Sequence, residues 1–137
     1  MAQARDLSPS ETRLIERADE LVDDLSARYL KMLSGQFREL SQLIETQEWR
    51  AAGDLAHMMA GEAGSFQRFS VGEVAGLMRD VFLHENPGDH VQAITLLQDA
   101  LGLVVKEQSS PGGSAPDVLL DGLRAVVSRI DDQATSA

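Results

Sequence analysis

Apolar residues recur at intervals of three or four along most of this chain of 137 residues. Such spacing places side chains on one face of an α-helix, whereas a half-buried strand would alternate apolar and polar residues, and no such alternation occurs. The first stripe comprises Leu14, Ala18, Leu21, Leu25, Tyr29, Met32, Leu33, Phe37, Leu40, Leu43 and Ile44. It indicates either one long helix or two helices broken near Ser34-Gly35. The sequence therefore predicts an all-α fold.

A capping signal predicts where the first helix begins, and an apolar stripe predicts the start of the second. Ser8 is a good N-cap, Pro9 suits the first helical position, and Glu11 completes a capping box. A second helix is expected after Thr46, because a new apolar stripe starts there. That stripe comprises Trp49, Ala52, Leu55, Ala56, Met59, Ala63 and Phe66.

A second capping box predicts the start of a third helix. It runs from Ser70 to Glu73, and Phe69 and Val74 occupy the two positions of a hydrophobic staple. The turn-forming run Asn86-Pro87-Gly88 is expected to end this helix. Asp89, directly after that run, is expected to cap a fourth helix.

The connections predict how the helices are arranged. Short links between the central helices favour an antiparallel four-helix bundle over about residues 25–108, with an additional helix at each end. Residues 109–114 are rich in Ser, Gly and Pro and indicate a linker. A C-terminal amphipathic helix is predicted over about residues 115–131, and residues 1–137 are expected to form a single domain.

Composition excludes several classes of function. The absence of cysteine rules out disulfides and thiolate metal sites, and three histidines leave little material for a histidine-rich site. A formal net charge of −10 opposes binding to nucleic acid or to anionic membranes. The chain shows neither a signal peptide nor a membrane-spanning stretch, so a cytoplasmic protein is expected.

His57 stands out when the second predicted helix is projected down its axis. The apolar stripe lies on the side opposite this histidine, so its side chain is predicted to point to solvent. The residues nearest to it on the helix surface are unusually small: Gly53, Ala60, Gly61 and Gly64. Arg50 and Asp54 are the charged residues on the same face.

Two explanations account for this face. Glycines allow another helix to approach closely, but that arrangement would bury His57 and require a partner for its ring nitrogens. Alternatively, a neutral imidazole is a nucleophile near neutral pH, and small neighbours would let a bulky donor protein reach it. Because no general base or orienting residue accompanies His57, a visiting protein would supply most of the catalysis.

These residues resemble the signature of the histidine phosphotransfer (HPt) domain family of multistep phosphorelays, roughly H-x-L-K-G-x-A-x-x-x-G. After His57, Met59 stands at the apolar place, Gly61 at the glycine and Ala63 at the alanine. The lead-in over residues 49–56 is also similar to that of the family, and the resemblance covers roughly residues 25–108.

The resemblance implies a four-helix bundle in which the outer ring nitrogen of His57 accepts a phosphoryl group from a receiver-domain aspartate and passes it to another receiver. It further implies no kinase activity, no metal and no cofactor in this chain, with Mg²⁺ held only by the receiver. The implied partners are response-regulator receiver domains and a hybrid histidine kinase. A monomer is expected.

Two positions depart from the family pattern. Ala60 stands where the family often has a lysine that attends the phosphoryl group, and Gln67 replaces the later glycine. Arg50, which projects close to His57, is one candidate for the missing positive charge. Arg79, in the next helix near where the family places a polar residue beside the histidine, is the other.

Further alternatives remain open at this point. The chain could be a binding module of HPt shape that docks on a receiver or kinase without accepting phosphate. His84-Glu85 and Asp89-His90 offer metal-ligand types, although a turn separates them. The N-terminal stripe could extend a bundle helix, pair with a second copy or cover an open bundle end, of which the last is the simplest.

Overall fold

A computed structural model describes residues 6–107 and 117–136 of the chain. Every regular element in these two ranges is helical, which confirms the predicted all-α class. The elements are α1 (Pro9–Glu45), α2 (Trp49–Ser65), α3 (Phe69–Phe82), a short 3₁₀ helix (Pro87–His90), α4 (Val91–Glu107) and α5 (Asp117–Ser136). None of the described helices is both long and apolar enough to cross a membrane.

The first helix is continuous and begins as predicted. The Glu11 backbone N–H donates to Ser8 Oγ at 3.1 Å, and the Ser8 backbone N–H donates to Glu11 Oε1 at 3.5 Å. These reciprocal bonds are those of a capping box. Of the two arrangements that the stripe allowed, the structure has the single helix, without a break near Ser34-Gly35.

The chain divides into two compact units, one ending at Met32 and the other beginning at Leu33. The first unit is described from Asp6 to Met32 and includes the N-terminal turns of α1. The second unit contains the rest of α1 and the helices α2 to α5, and it holds the candidate site.

The core of the second unit is built around α3, which contacts α2, α4 and α5. Most of the apolar side chains that it buries almost completely are small or β-branched, namely Val71, Val74, Ala75 and Val81, and Met78 is buried with them. The C-terminal part of α1 packs nearby, since Phe37 would meet a Cβ added to Gly102 of α4 at 2.9 Å. Gln36 donates to Glu62 of α2 at 3.1 Å. The end of α1 with α2, α3 and α4 therefore forms the predicted bundle.

The third helix begins earlier than predicted, and the expected capping box is absent. Arg68 is its N-cap and makes no side-chain capping hydrogen bond, while Ser70 lies buried inside the helix. Gln67 has a positive φ of 58°, and the Arg68 backbone N–H donates to Ala63 O at 2.8 Å. This tight reversal after α2 starts the new helix directly at Phe69.

The connection between α3 and α4 also differs from the prediction. The helix α3 ends at Phe82, before the Asn86-Pro87-Gly88 run that was expected to end it. Pro87 instead begins a 3₁₀ helix, where its missing N–H costs nothing, and its side chain is buried. Asp89 consequently lies within this 3₁₀ helix and does not cap α4.

The C-terminal helix packs on the bundle through one apolar face. Leu120, Leu123, Val127 and Ile130 are its buried side chains. Two polar contacts join α5 to residues of α3 and its C-terminal turn: Arg124 to Glu73 at 3.0 Å, and His84 to Asp131 at 2.7 Å. The predicted linker over residues 109–114 lies outside the described residues.

Candidate functional site around His57

His57 lies on the exposed face of α2, as the helical projection predicts. The opposite face is buried in the bundle through Ala52, Leu55, Ala56, Met59 and Ala63. Burial of that stripe orients the helix, because rotating it to hide His57 would expose the apolar side chains.

Arg79 of α3 reaches the imidazole of His57 across the helix interface. Its Nη1 atom lies 3.1 Å from His57 Nδ1, and the two residues are 22 positions apart in the chain. A guanidinium can only donate hydrogen bonds, so Nδ1 is the acceptor. A neutral His57 in this arrangement carries its proton on Nε2.

The small residues around His57 fall into two groups. Gly61 and Gly64 are exposed, and a Cβ added to either would meet nothing within 4 Å. Ala60 is half-buried beside them. These residues leave the surface on the C-terminal side of His57 low.

Gly53 does not belong to this low surface, which corrects the projection. It is buried, and a Cβ at this position would lie 3.3 Å from Phe82 Cβ. The helix α3 approaches α2 closely here, while Gly53 still lines the cavity beside His57. A projection of one helix could not show that contact, and the role of Gly53 is to let the two helices approach closely.

Arg50 and Asp54 lie on the N-terminal side of His57. Both are exposed, and both line a cavity of about 550 Å³ together with His57 and Arg79. Trp49 and Phe82 also line it and stack on each other with ring centroids 6.0 Å apart. Within the described chain, Arg50 forms no hydrogen bond or ion pair, so its guanidinium is available to an incoming anion.

A second depression lies between α2 and α3. Ala60 and Gly64 line it from α2, and Phe69, Gly72 and Gly76 line it from α3. Arg79 lines both this depression and the cavity beside His57. Phe69, which lines this depression, is an exposed apolar side chain (53% exposed), and Met58, which directly follows His57 in α2, is another (48% exposed). Small residues beside exposed apolar groups are suited to contact with another protein.

A metal site is the alternative interpretation of the residues that follow α3, namely His84, Glu85, Asp89 and His90. Their arrangement differs from that of a metal site. His84 Nε2 lies 2.7 Å from Asp131 Oδ1 of α5, and the His84 ring lies edge-on to His90 at 5.7 Å. Among the described residues, no group of three or more histidine or acidic side chains is placed to hold a metal ion. The observed contact of His84 is therefore with the C-terminal helix.

Three features of the site carry no local signal in the sequence. They are the contact between His84 and Asp131 across 47 positions, the stacking of Trp49 on Phe82, and the burial of Gly53. Each depends on where one helix crosses another, and the periodicity of a single helix contains no information about that crossing.

Comparison with known proteins adds no assignment to this geometry. No protein-family model, no curated protein and no solved structure matches this chain.

Proposed function

We propose that this protein is a histidine phosphotransfer protein of a two-component phosphorelay. His57 accepts a phosphoryl group from the aspartate of one receiver domain and passes it to another. The observation that carries the proposal is the exposed His57 with the guanidinium of Arg79 at its Nδ1 atom, on a surface kept low by Gly61 and Gly64.

The contact with Arg79 makes the two ring nitrogens of His57 different. In the structure it occupies Nδ1, and Nε2 makes no hydrogen bond to the described residues. For Nε2 to attack phosphorus, its proton must move to Nδ1, and Arg79 must leave Nδ1 as that proton arrives. Once released, the guanidinium can turn from Nδ1 toward the phosphoryl oxygens on Nε2, an interaction that favours arginine because of its planar set of donors.

Atoms and electrons balance in the transfer step. The Nε2 lone pair forms the bond to phosphorus, and the bond between phosphorus and the aspartyl oxygen breaks with its electron pair left on the carboxylate. The proton on Nδ1 of the phosphorylated ring is released to solvent, which restores an acceptor at this atom. Transfer to the next receiver reverses these steps on a new aspartate.

The surroundings of His57 favour a protein as the phosphoryl donor. No described carboxylate or second imidazole is hydrogen-bonded to His57, so the described residues place neither a base nor an orienting residue against the ring. Met58 and Phe69 provide exposed apolar contact area beside the low surface. The proposal therefore places receiver domains, and a hybrid kinase that carries one, as the partners, with Mg²⁺ contributed by the receiver and the relay located in the cytoplasm.

Arg79 and Arg50 are the proposed replacements for the lysine that the HPt pattern often has at Ala60. Both line the cavity beside His57, but Arg79 already contacts the imidazole. We assign the main phosphate-holding role to Arg79 for this reason. Asp54, on the rim of the same cavity, is assigned to partner docking because its negative charge would repel a phosphoryl group.

The test is phosphotransfer from phosphorylated receiver domains of the source organism to the purified protein. We expect a label that is labile in acid and stable in alkali on the wild type and on His90→Gln, but absent from His57→Gln. His90 is a suitable control because it is half-buried and does not line the cavity beside His57. Equal labelling of His57→Gln would contradict the proposal.

A second candidate is a module that binds a receiver or kinase without accepting phosphate. The alanine at position 60 favours it, because the chain has no cation at that point of α2. Labelling with phosphoramidate, a small phosphoryl donor, separates the two candidates. Phosphorylation of His57 by phosphoramidate together with transfer onward to a receiver supports the relay, whereas stable receiver binding without transfer in either direction selects the binding module.

A further inference from the structure

The N-terminal part of α1 presents an apolar face to solvent. Leu14, Leu21 and Leu25 are between 43% and 63% exposed, and Ile15 and Val22 beside them are 47% and 57% exposed. A helix with one exposed apolar face gains little stability by itself, since most helical stability in proteins comes from packing of that face.

The spacing of this face is that of a coiled coil. Successive positions along it are separated alternately by three and four residues: Glu11, Leu14, Ala18, Leu21, Leu25, Arg28 and Met32. This period of 3.5 residues keeps the same side chains directed at a partner helix along its whole length. This stripe of seven positions, from Glu11 to Met32, covers three heptads of α1, and all of it belongs to the first compact unit.

Two charged residues within the stripe discriminate between helix orientations. In a parallel pair, Glu11 would face the partner's Glu11, and Arg28 would face the partner's Arg28, so that like charges would meet twice. In an antiparallel pair, Glu11 faces the partner's Arg28. The same register places Leu14 opposite the partner's Leu25, and Ala18 opposite the partner's Leu21.

The flanks of the stripe agree with this register. On one edge, Ile15 lies opposite the partner's Val22, which adds apolar contact area. On the other edge, Arg17 lies opposite the partner's Asp24, which adds a pair of opposite charges. The stripe is therefore complementary to itself in the antiparallel orientation and in this register.

Both charged residues of the stripe also make contacts within one chain. Arg28 Nε lies 3.1 Å from Asp24 Oδ2 on the same helix. Glu11 takes part in the capping box with Ser8, and a carboxylate has acceptor sites for further donors. In the antiparallel pair, Arg28 would lie between its own Asp24 and the partner's Glu11.

We propose that this face of α1 pairs with a second copy of the chain in an antiparallel two-stranded coiled coil. The paired segment from Glu11 to Arg28 would be about 27 Å long at 1.5 Å per residue. This proposal differs from the monomer expected from the sequence, because the structure leaves the apolar face exposed. It is independent of the proposed phosphotransfer, since His57 lies in the other compact unit.

The first test is the oligomeric state of the full chain. Sedimentation velocity over a range of concentrations should show a dimer for the wild type and a monomer for Leu21→Glu. Val118→Glu is the matched control, because Val118 is an even more exposed apolar residue (84%) on α5. Circular dichroism establishes that each variant remains helical. A wild type that stays monomeric throughout, or a Leu21→Glu variant that stays dimeric, would overturn the proposal.

The second test is the orientation, for which the absence of natural cysteine is an advantage. A mixture of Leu14→Cys and Leu25→Cys chains should form a disulfide-linked heterodimer on mild oxidation, while each variant alone should cross-link at least tenfold less. Cross-linking requires Cα atoms about 4.4–6.8 Å apart, so it reports the register directly. Efficient self-cross-linking of Leu14→Cys would instead indicate a parallel pair and contradict the antiparallel arrangement. Leu21→Glu should still accept a phosphoryl group on His57, so the dimer proposal and the phosphotransfer proposal can fail separately.

Discussion

Arg79 Nη1 lies 3.1 Å from His57 Nδ1, so a cation on α3 contacts the imidazole that α2 exposes to solvent. Because arginine cannot accept a hydrogen bond, this contact selects the His57 tautomer with its proton on Nε2. Substitution of Arg79 can therefore be used to test how this contact affects the reactivity of His57.

The tautomer can be measured without any partner. At alkaline pH we expect the ring of His57 to be mainly in the Nε2–H form in the wild type. In Arg79→Ala the two forms should become more evenly populated, because the donor to Nδ1 is lost. Long-range ¹H–¹⁵N correlation spectra distinguish the tautomers, and the signals of His90 serve as the internal control. An unchanged His57 spectrum in Arg79→Ala would argue against this hydrogen bond in solution.

The lifetime of phosphohistidine tests which arginine holds the phosphoryl group. If Arg79 donates to its oxygens, the half-life after phosphoramidate labelling should fall several-fold in Arg79→Ala and change little in Arg50→Ala. Arg79→Lys should be intermediate, since lysine retains the charge but not the planar donors. A fall in Arg50→Ala alone would move the role to Arg50, and no change in either variant would exclude both.

Gly53 and Gly61 provide a matched pair for stability. Alanine at Gly61 has open space and should raise the free energy of unfolding by up to about 1 kcal/mol through helix propensity. Alanine at Gly53 would place its Cβ 3.3 Å from Phe82 Cβ. Overpacking of this kind costs about 1–3 kcal/mol, so Gly53→Ala should be the less stable variant in urea denaturation.

The opposite order of stability would show that α2 and α3 do not approach closely at Gly53. A larger side chain at the second position separates stability from docking. Gly61→Gln should unfold near the wild-type midpoint. Compared with the wild type, it should accept a phosphoryl group more slowly from a receiver, while its labelling by phosphoramidate should change less.

The contact between Arg124 and Glu73 predicts that added salt weakens the packing of α5 on the bundle. Hydrogen bonding and charge attraction from Glu73 raise the pKa of the Arg124 guanidinium above its usual value. A raised pKa gives stability that is present below the ordinary pKa of arginine and is lost only as pH rises through the raised value. The contribution of Arg124 should therefore be constant across the neutral range, and ionic strength is the variable to change.

Hydrogen exchange of the α5 amides measures this effect. Exchange in the wild type should become faster as salt is added, and Arg124→Gln should be faster at low salt and less sensitive to salt. Arg129→Gln is the control, because Arg129 lies on the same helix and forms no ion pair with another described residue. Equal salt responses of wild type and Arg124→Gln would show that the pair does not help to hold α5.

The helical class and the first capping box could be predicted because both depend on residues close together in the chain. The spacing of apolar residues defines the buried face of α2, and the exposure of His57 follows from that face. The reciprocal bonds of Ser8 and Glu11 likewise involve residues of one helical turn. In contrast, the predicted capping box at Ser70 was wrong, because the backbone reversal at Gln67 and Arg68 starts α3 earlier.

By itself, the sequence determined that this chain is helical and that α2 turns a histidine among small residues toward solvent. Only the tertiary structure decided that Arg79 meets Nδ1 of that histidine, that Gly53 serves helix packing, and that His84 contacts Asp131. The physical reason is the range of the interactions. Periodicity and capping are set within one or two helical turns, whereas contacts between helices depend on the angle and distance at which separate segments cross.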